Sequence, residues 1–264
     1  MFTLRAVKRY MDGALGSRGA ALFDEYSDDP GNRGITTSSE AGLDSTLREA
    51  VEAGYQPMIH AIGDRANALA LDGVERLERR RQIEDVRPRI EHAQVIAPGD
   101  IARFAALGVL PSMEPVHATS DMYWAEARLG PDRVKGAYAW RSLVRAGSII
   151  VGGSDAPNDN LSPLDGIYAA CTRRDRNGYP LDGWQPQEKL TREEAVRCYT
   201  NWAAFGAFEE RSKGSLEPGK WADLTILSND ILRCDAPEIL STLVEATVVG
   251  GRFVYLRPDS TTNK

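Results

Sequence analysis

The chain has 264 residues, of which 42% are hydrophobic and 27% charged, and a formal net charge of −6. That is the size of one barrel-like domain, or of a domain with a small appendage, in an ordinary globular composition. The acidic balance speaks against a nucleic-acid partner, which requires a basic face. No run of 18 apolar residues offers a membrane span, and MFTLRAVKRYMDG lacks the apolar stretch of a signal peptide. Cys171, Cys198 and Cys234 are scattered without CxxC spacing. They argue against a disulfide framework or a zinc–thiolate site and predict a reducing, cytoplasmic setting.

In chain order, short apolar runs alternate with amphipathic segments. A strand at 6–11 precedes a helix at 39–53, a strand at 56–61 a helix at 64–81, and a strand at 88–92 a helix at 98–107. A strand at 109–113 and a helix at 138–145 come next, then a strand at 148–152 and a helix at 164–174. Ser38 or Ser39 with Glu40, and Pro98 ahead of Asp100, are helix-start signals. Gly54, Gly108 and Gly147 stand where left-handed helix ends are easily adopted. A further helix is predicted over 191–208, opened by the capping-box pattern Thr-Arg-Glu-Glu.

After Gly214 the texture changes to β-rich runs at 222–227 and around Gly250-Gly251, a hairpin signal, with a helix near 237–243. The fold class is therefore α/β: a portion of a (β/α) barrel over 1–214, a small C-terminal β-element over 215–257, and a polar tail over 258–264. Strand–helix alternation gives parallel neighbours in chain order. Five units are found where a closed barrel has eight. The apolar strands at 6–11 and 148–152 would then be open edges. The expectation is a homo-oligomer in which a second copy covers them, or a closure in which the C-terminal β-element plugs the gap.

All three histidines, His60, His92 and His117, stand where a strand runs out into a loop, as does Asp155 in SIIVGGSDAP. In a (β/α) barrel such positions converge on one mouth. A single histidine is more often a satisfied core or loop residue than a ligand. Histidines and a carboxylate on successive strand ends are what a catalytic transition-metal site requires. Asp155, as turn or helix-cap aspartate before Pro157, has a structural alternative. Asp64 and Arg65 follow His60, with capping and a pocket-facing arginine both open. Glu91 precedes His92 and is expected on the opposite face, in a buried ion pair. Asp12 and Arg18, in DGALGSRG, either bind substrate or fix their loop. Tyr123, Trp124 and Trp140 are expected in packing, and 78–81 as a solvated helix end.

Together VKRYMDGALGSRGAAL, IHAIGDRANALALDGVE, RIEHAQVI, PSMEPVHATSDMYWAEARLG, GAYAWRSL, GGSDAP and GSLEPGKWADLTIL resemble the C-terminal part of the amidohydrolase superfamily. They are most similar to its family-3 branch, with N-substituted formamide deformylase-like and D-aminoacylase-like enzymes. The resemblance spans 7–255 and implies a distorted (β/α)₈ barrel with a β-sandwich, using one or two divalent metals to hydrolyse C–N bonds in small amide substrates. It implies Lys8, carboxylated in many members, His60, His92 and Asp155 as metal ligands. Asp155 would also shuttle the proton as the catalytic residue, while His117 would face substrate; Arg65, Asp12 and Arg18 are the further substrate-side candidates. The first-strand His-x-His pair has no counterpart, so one metal, zinc, is expected rather than two. The chain resembles a member lacking its first three barrel strands, with loss of catalysis and survival as a binding or assembly module as the alternative.

Overall fold

The computed structural model of the chain describes residues 3–80 and 85–258. Five strands, β1 (Ala6–Tyr10), β2 (Gln56–Ala61), β3 (Arg89–His92), β4 (Leu110–Met113) and β5 (Val151–Gly152), form one parallel sheet in chain order. Between them run α1 (Glu40–Glu52), α2 (Asp64–Arg80), α3 (Ile101–Ala106), α4 (Pro115–Asp121), α5 (Ala125–Arg133) and α6 (Trp140–Arg145), with α7 (Pro163–Thr172) after β5. Each crossover carries the chain back to start the next strand beside the last. The residues of β2 and β4 are almost all buried, as expected of parallel strands covered on both faces. Edge strand β1 differs: Val7 and Tyr10 are exposed. This is a partial (β/α) barrel.

α8 (Arg192–Cys198) and α9 (Asn201–Gly206) follow. The second sheet is antiparallel, with β6 (Leu224–Leu227), β7 (Val244–Val249) and β8 (Arg252–Leu256) in that order, and α10 (Ala236–Ser241) between β6 and β7. Gly250 and Gly251, at φ 55° and 76°, make the predicted β7–β8 hairpin turn. Among the described residues this sheet does not extend the parallel one, so the C-terminal β-element does not plug the gap at either edge. No helix of the described residues is long and apolar enough to cross a membrane.

Several elements depart from expectation for local reasons. The segment 191–208 breaks at Thr200 (φ −129°, ψ −101°) into two helices. The predicted helix 138–145 begins only at Trp140, because Tyr138 is left-handed at φ 54°. Arg173, at φ 57°, stops α7. The strand at 148–152 is two residues long, paired to Ser112 and Met113. Helices α4 and α5 lie in a stretch that shows no clean period; Pro115 in the first turn of α4 is their one sequence signal. Arg81 and the tail beyond Pro258 lie outside the described residues.

Two buried polar side chains lock the strand ends together. Asp12, 2% exposed, accepts from the backbone N–H of Ile62 (3.0 Å), Gly63 (2.8 Å) and Ala21 (2.9 Å). Gly63 is required there: a Cβ would sit 2.0 Å from the Ala21 carbonyl oxygen. Asn67, fully buried, directs its amide nitrogen at the carbonyls of Ala61, Ile62, Gly63 and Val95, tying β2 to the segment after β3. Farther off, Glu194 closes the capping box of α8 with Thr191 and receives Arg141 of α6 in a two-pronged ion pair.

Replacing Asp12 by Asn puts an NH₂ against backbone donors, and an unmade buried hydrogen bond costs about 1–3 kcal/mol. A loss of that size is expected in urea unfolding. Glu194 is held at about 2, chiefly by the Arg141 hydrogen bond, against an ordinary 4.5. A depressed carboxyl stabilises the fold above 4.5 and loses that contribution as pH falls towards 2. Glu194→Gln should thus destabilise by roughly 2 kcal/mol at pH 7, with the gap from wild type closing between pH 4.5 and 2 in chemical denaturation.

Candidate metal centre

His60, fifth residue of β2, lies at the C-terminal mouth of the sheet and is paired in register with Tyr10 of β1 and Glu91 of β3. Regular alternation would therefore set His60 beside Glu91 rather than His92. The backbone at His92 and Ala93 is left-handed, at φ 72° and 43°. That turn ends β3 and brings the His92 ring to 4.7 Å from the His60 ring, edge to face. Asp155, in the loop after β5, is also left-handed at φ 52°. Non-glycine residues in this region cost free energy and persist where the surroundings over-determine them.

The His60 ring is buried, and neither of its nitrogens has a hydrogen-bond partner. The Asp12 carboxylate lies 3.6 Å from its Nε2, and the backbone at Gly13 is close enough to act on its charge. Burial, then the positive charges of His92 and Lys8, hold its pKa down to about 4, so the imidazole is neutral with a free lone pair. Burial also works against protonation of His92, but the Glu114 hydrogen bond and charge outweigh it and raise its pKa. Glu114 accepts from His92 Nδ1 at 2.9 Å; that bond leaves His92 Nε2 as the nitrogen with a lone pair to offer.

His117, on α4, stacks on His92 with ring centres 6.0 Å apart, and its Nε2 is 3.2 Å from Asp159. His92, Glu114 and His117 together offer donor atoms close enough to hold one cation. A buried imidazole with two orphaned nitrogens, beside a second imidazole oriented by a carboxylate, fits a divalent metal by donor chemistry.

The other candidates sit as follows. Lys8, two residues before Tyr10 and so on its face of β1, is exposed. Its ammonium lies 4.9 Å over the Tyr10 ring, and its charge reaches His60 and His92. Asp155 reaches both histidines electrostatically, and its carboxylate accepts from Asn158 at 2.7 Å. Asp12, whose pKa burial raises to about 6, spends its carboxylate on the three backbone N–H groups that fix its loop. Arg18 is ion-paired to Asp28 at 3.0 Å on the same loop. Asp64 accepts from the Phe23 and Arg65 N–H groups at the start of α2, while the Arg65 side chain is exposed. Glu91 is buried and paired to Arg89 at 2.8 Å. Trp140 is buried beside Arg173, Trp124 packs against Gly16, and Tyr123 is exposed and stacked on Tyr179. Glu114 was not among the candidates; its signal was its place, the first residue beyond β4.

Over residues 1–255 the chain matches the amidohydrolase family. It is 35% identical over 250 residues to the putative amidohydrolase YtcJ of Bacillus subtilis strain 168, covering 95% of this chain and 47% of that protein. It is 31% identical over 232 residues to N-substituted formamide deformylase of Arthrobacter pascens, covering 86% and 41%. A crystal structure of an uncharacterized metal-dependent hydrolase from Pyrococcus horikoshii OT3 superposes with a TM-score of 0.78 at 31% identity, over 88% of this chain and 46% of that one. The chain thus spans less than half the length of these relatives. A partial (β/α) barrel with imidazoles at its mouth, and a match along almost the whole sequence, make one conclusion: the chain belongs to the amidohydrolase family.

Proposed function

We propose that this chain carries the site of a metal-dependent hydrolase acting on an amide-type C–N bond of a small molecule. The observation that carries this reading is His60, a buried neutral imidazole with both nitrogens unpartnered, 4.7 Å from His92. The likeness to N-substituted formamide deformylase supports the C–N assignment. One divalent cation, zinc by its preference for imidazole nitrogen, would be held by His60, His92 and Asp155, with Lys8 as a further ligand once carboxylated. Lys8 stands exposed, and carboxylation would remove its positive charge from beside His60. When bound, the cation polarises the amide carbonyl and eases ionisation of the attacking water.

The rest falls to the chain. Glu114 holds the His92 ring in the tautomer that presents Nε2. Asp155 accepts a proton from the attacking water as the O–C bond forms and delivers it to the nitrogen as the C–N bond breaks. His117, at the edge of the cluster, donates a hydrogen bond to the substrate. Arg65, exposed in the first turn of α2 directly after the β2 loop, would meet substrate from outside. The exposed face of β1 supports association with a second copy of the chain, in a cytoplasmic setting consistent with three free cysteines.

Protein purified without chelator is expected to hold about one equivalent of zinc by elemental analysis, lost in a His60→Ala, His92→Ala double variant. Zinc uptake unchanged by that double substitution would overturn the assignment. Asp155→Asn should lower kcat for a susceptible formamide by roughly 10²–10⁴-fold. Glu114→Gln, which keeps a hydrogen-bond acceptor but loses the charge, should weaken zinc binding by about 10–100-fold, measured by competition with a chromophoric chelator.

A further inference from the structure

The turn that presents His92 is fastened a second time, farther along the chain. Residues 94–96 run alongside residues 136–138. The Tyr138 N–H donates to the Gln94 carbonyl at 2.7 Å and the Ile96 N–H to the Gly136 carbonyl at 3.0 Å, with Val95 and Ala137 bridged antiparallel between them. Tyr138 is buried and left-handed, at φ 54°, a conformation that a bulky residue keeps only where its surroundings impose it. All its polar groups are taken: its carbonyl accepts from the Arg173 guanidinium at 2.8 Å, and its hydroxyl donates to Asp121. The Gln94 amide donates to the same Asp121 oxygen, Oδ2, at 2.8 Å. Asp121 closes α4, one helical turn after His117 and on the same face.

We propose that Asp121 is a positioning residue for the imidazole cluster: by accepting from Tyr138 and Gln94 on one oxygen, it holds the helix of His117 against the turn that carries His92. Its consequence for metal binding rests on the hydrolase reading given above. His117 stacks on His92 with ring centres 6.0 Å apart, yet the two rings belong to different elements. The β3–β4 ladder pairs only three positions and ends at Glu91 and Ser112, before either ring. Glu114 meets both rings at the start of α4; Asp121 ties down the far end of that helix. The charge of Asp121 also reaches His117 and Asp159. Position rather than charge is favoured by the donors, which are both neutral, both buried and aimed at one oxygen. The two His117 nitrogens face Glu114 and Asp159 instead, at 3.6 and 3.2 Å.

All three histidines of the chain belong to the cluster, so ring NMR spectra of ¹⁵N-histidine-labelled protein report on it residue by residue. D121A and Y138F should shift and broaden the His92 and His117 signals, and D121A should weaken zinc binding by about 10–100-fold in chelator competition. D121N keeps an oxygen for both donors while losing the charge. It should restore the wild-type ring signals and hold the loss of zinc affinity below about tenfold. Y138F, which removes a single hydroxyl, carries the test if urea titration shows that D121A does not fold. Ring signals unmoved in D121A and Y138F would overturn the proposal. D121N as impaired as D121A would assign the effect to charge and also sink it. Moved ring signals with zinc affinity unchanged in every variant would do the same, leaving Asp121 a tie of the fold alone. Failure of the hydrolase reading looks different: the wild-type chain takes up no zinc, while the ring signals still follow Asp121.

Discussion

The arrangement hangs on the Asp12 carboxylate. It sits in the interior, accepts three backbone N–H groups from two separate segments, and among the described residues has no cationic partner in hydrogen-bond contact. Burying a carboxylate is costly, and here burial outweighs the N–H bonds enough to lift its pKa. What that cost secures is position: the loop after β1 is bound to the turn that immediately follows His60. Gly63 lets the two backbones touch, and Asn67 carries the same connection on to the end of β3. These ties add to the short ladders and the backbone bond from Val95 to Ile62 that join the C-terminal ends of β1, β2 and β3.

At the mouth, the chain departs from regular strand geometry where the candidate ligands stand. His92 and Asp155 both adopt left-handed backbone, and the strand register alone would have left His92 turned from His60. Strain of this kind is tolerable because the surrounding core is tightly packed: Ile59, Ile90, Met113 and Tyr138 are all essentially buried. The polar groups of the mouth are then fixed by one another, Glu114 by His92 and Asp159 by His117, rather than by solvent.

Much of this was readable in the residues. Short apolar runs around His60 and His92 announced strands β2 and β3, and the glycines after α1 and α3 marked helix ends. The Thr191–Glu194 capping box was legible because it is a purely local device. What escaped was non-local. Glu114 looks like any loop acid until β4 is placed beside β3, when it meets His92. The late start of α6 goes with a left-handed Tyr138 packed into the core, and the break at Thr200 is a backbone turn with no local sequence signal. Asp12 left two readings open in the sequence; only the approach of Ile62 and Gly63, fifty residues on, reveals what occupies its oxygens.

The face of β1 has a bearing on how the molecule could be governed. Tyr10 lies with its ring 4.7 Å from that of His60, half its surface open to water, and Lys8 stands beside it. Whatever comes to rest along β1, be it another polypeptide or another copy, takes water away from Tyr10 and Lys8 and so changes the dielectric felt by His60. Proton and cation affinity at His60 are then thermodynamically linked to association along that strand. By reciprocity, loading the imidazoles would alter the tendency to associate, so their occupancy would depend on protein concentration.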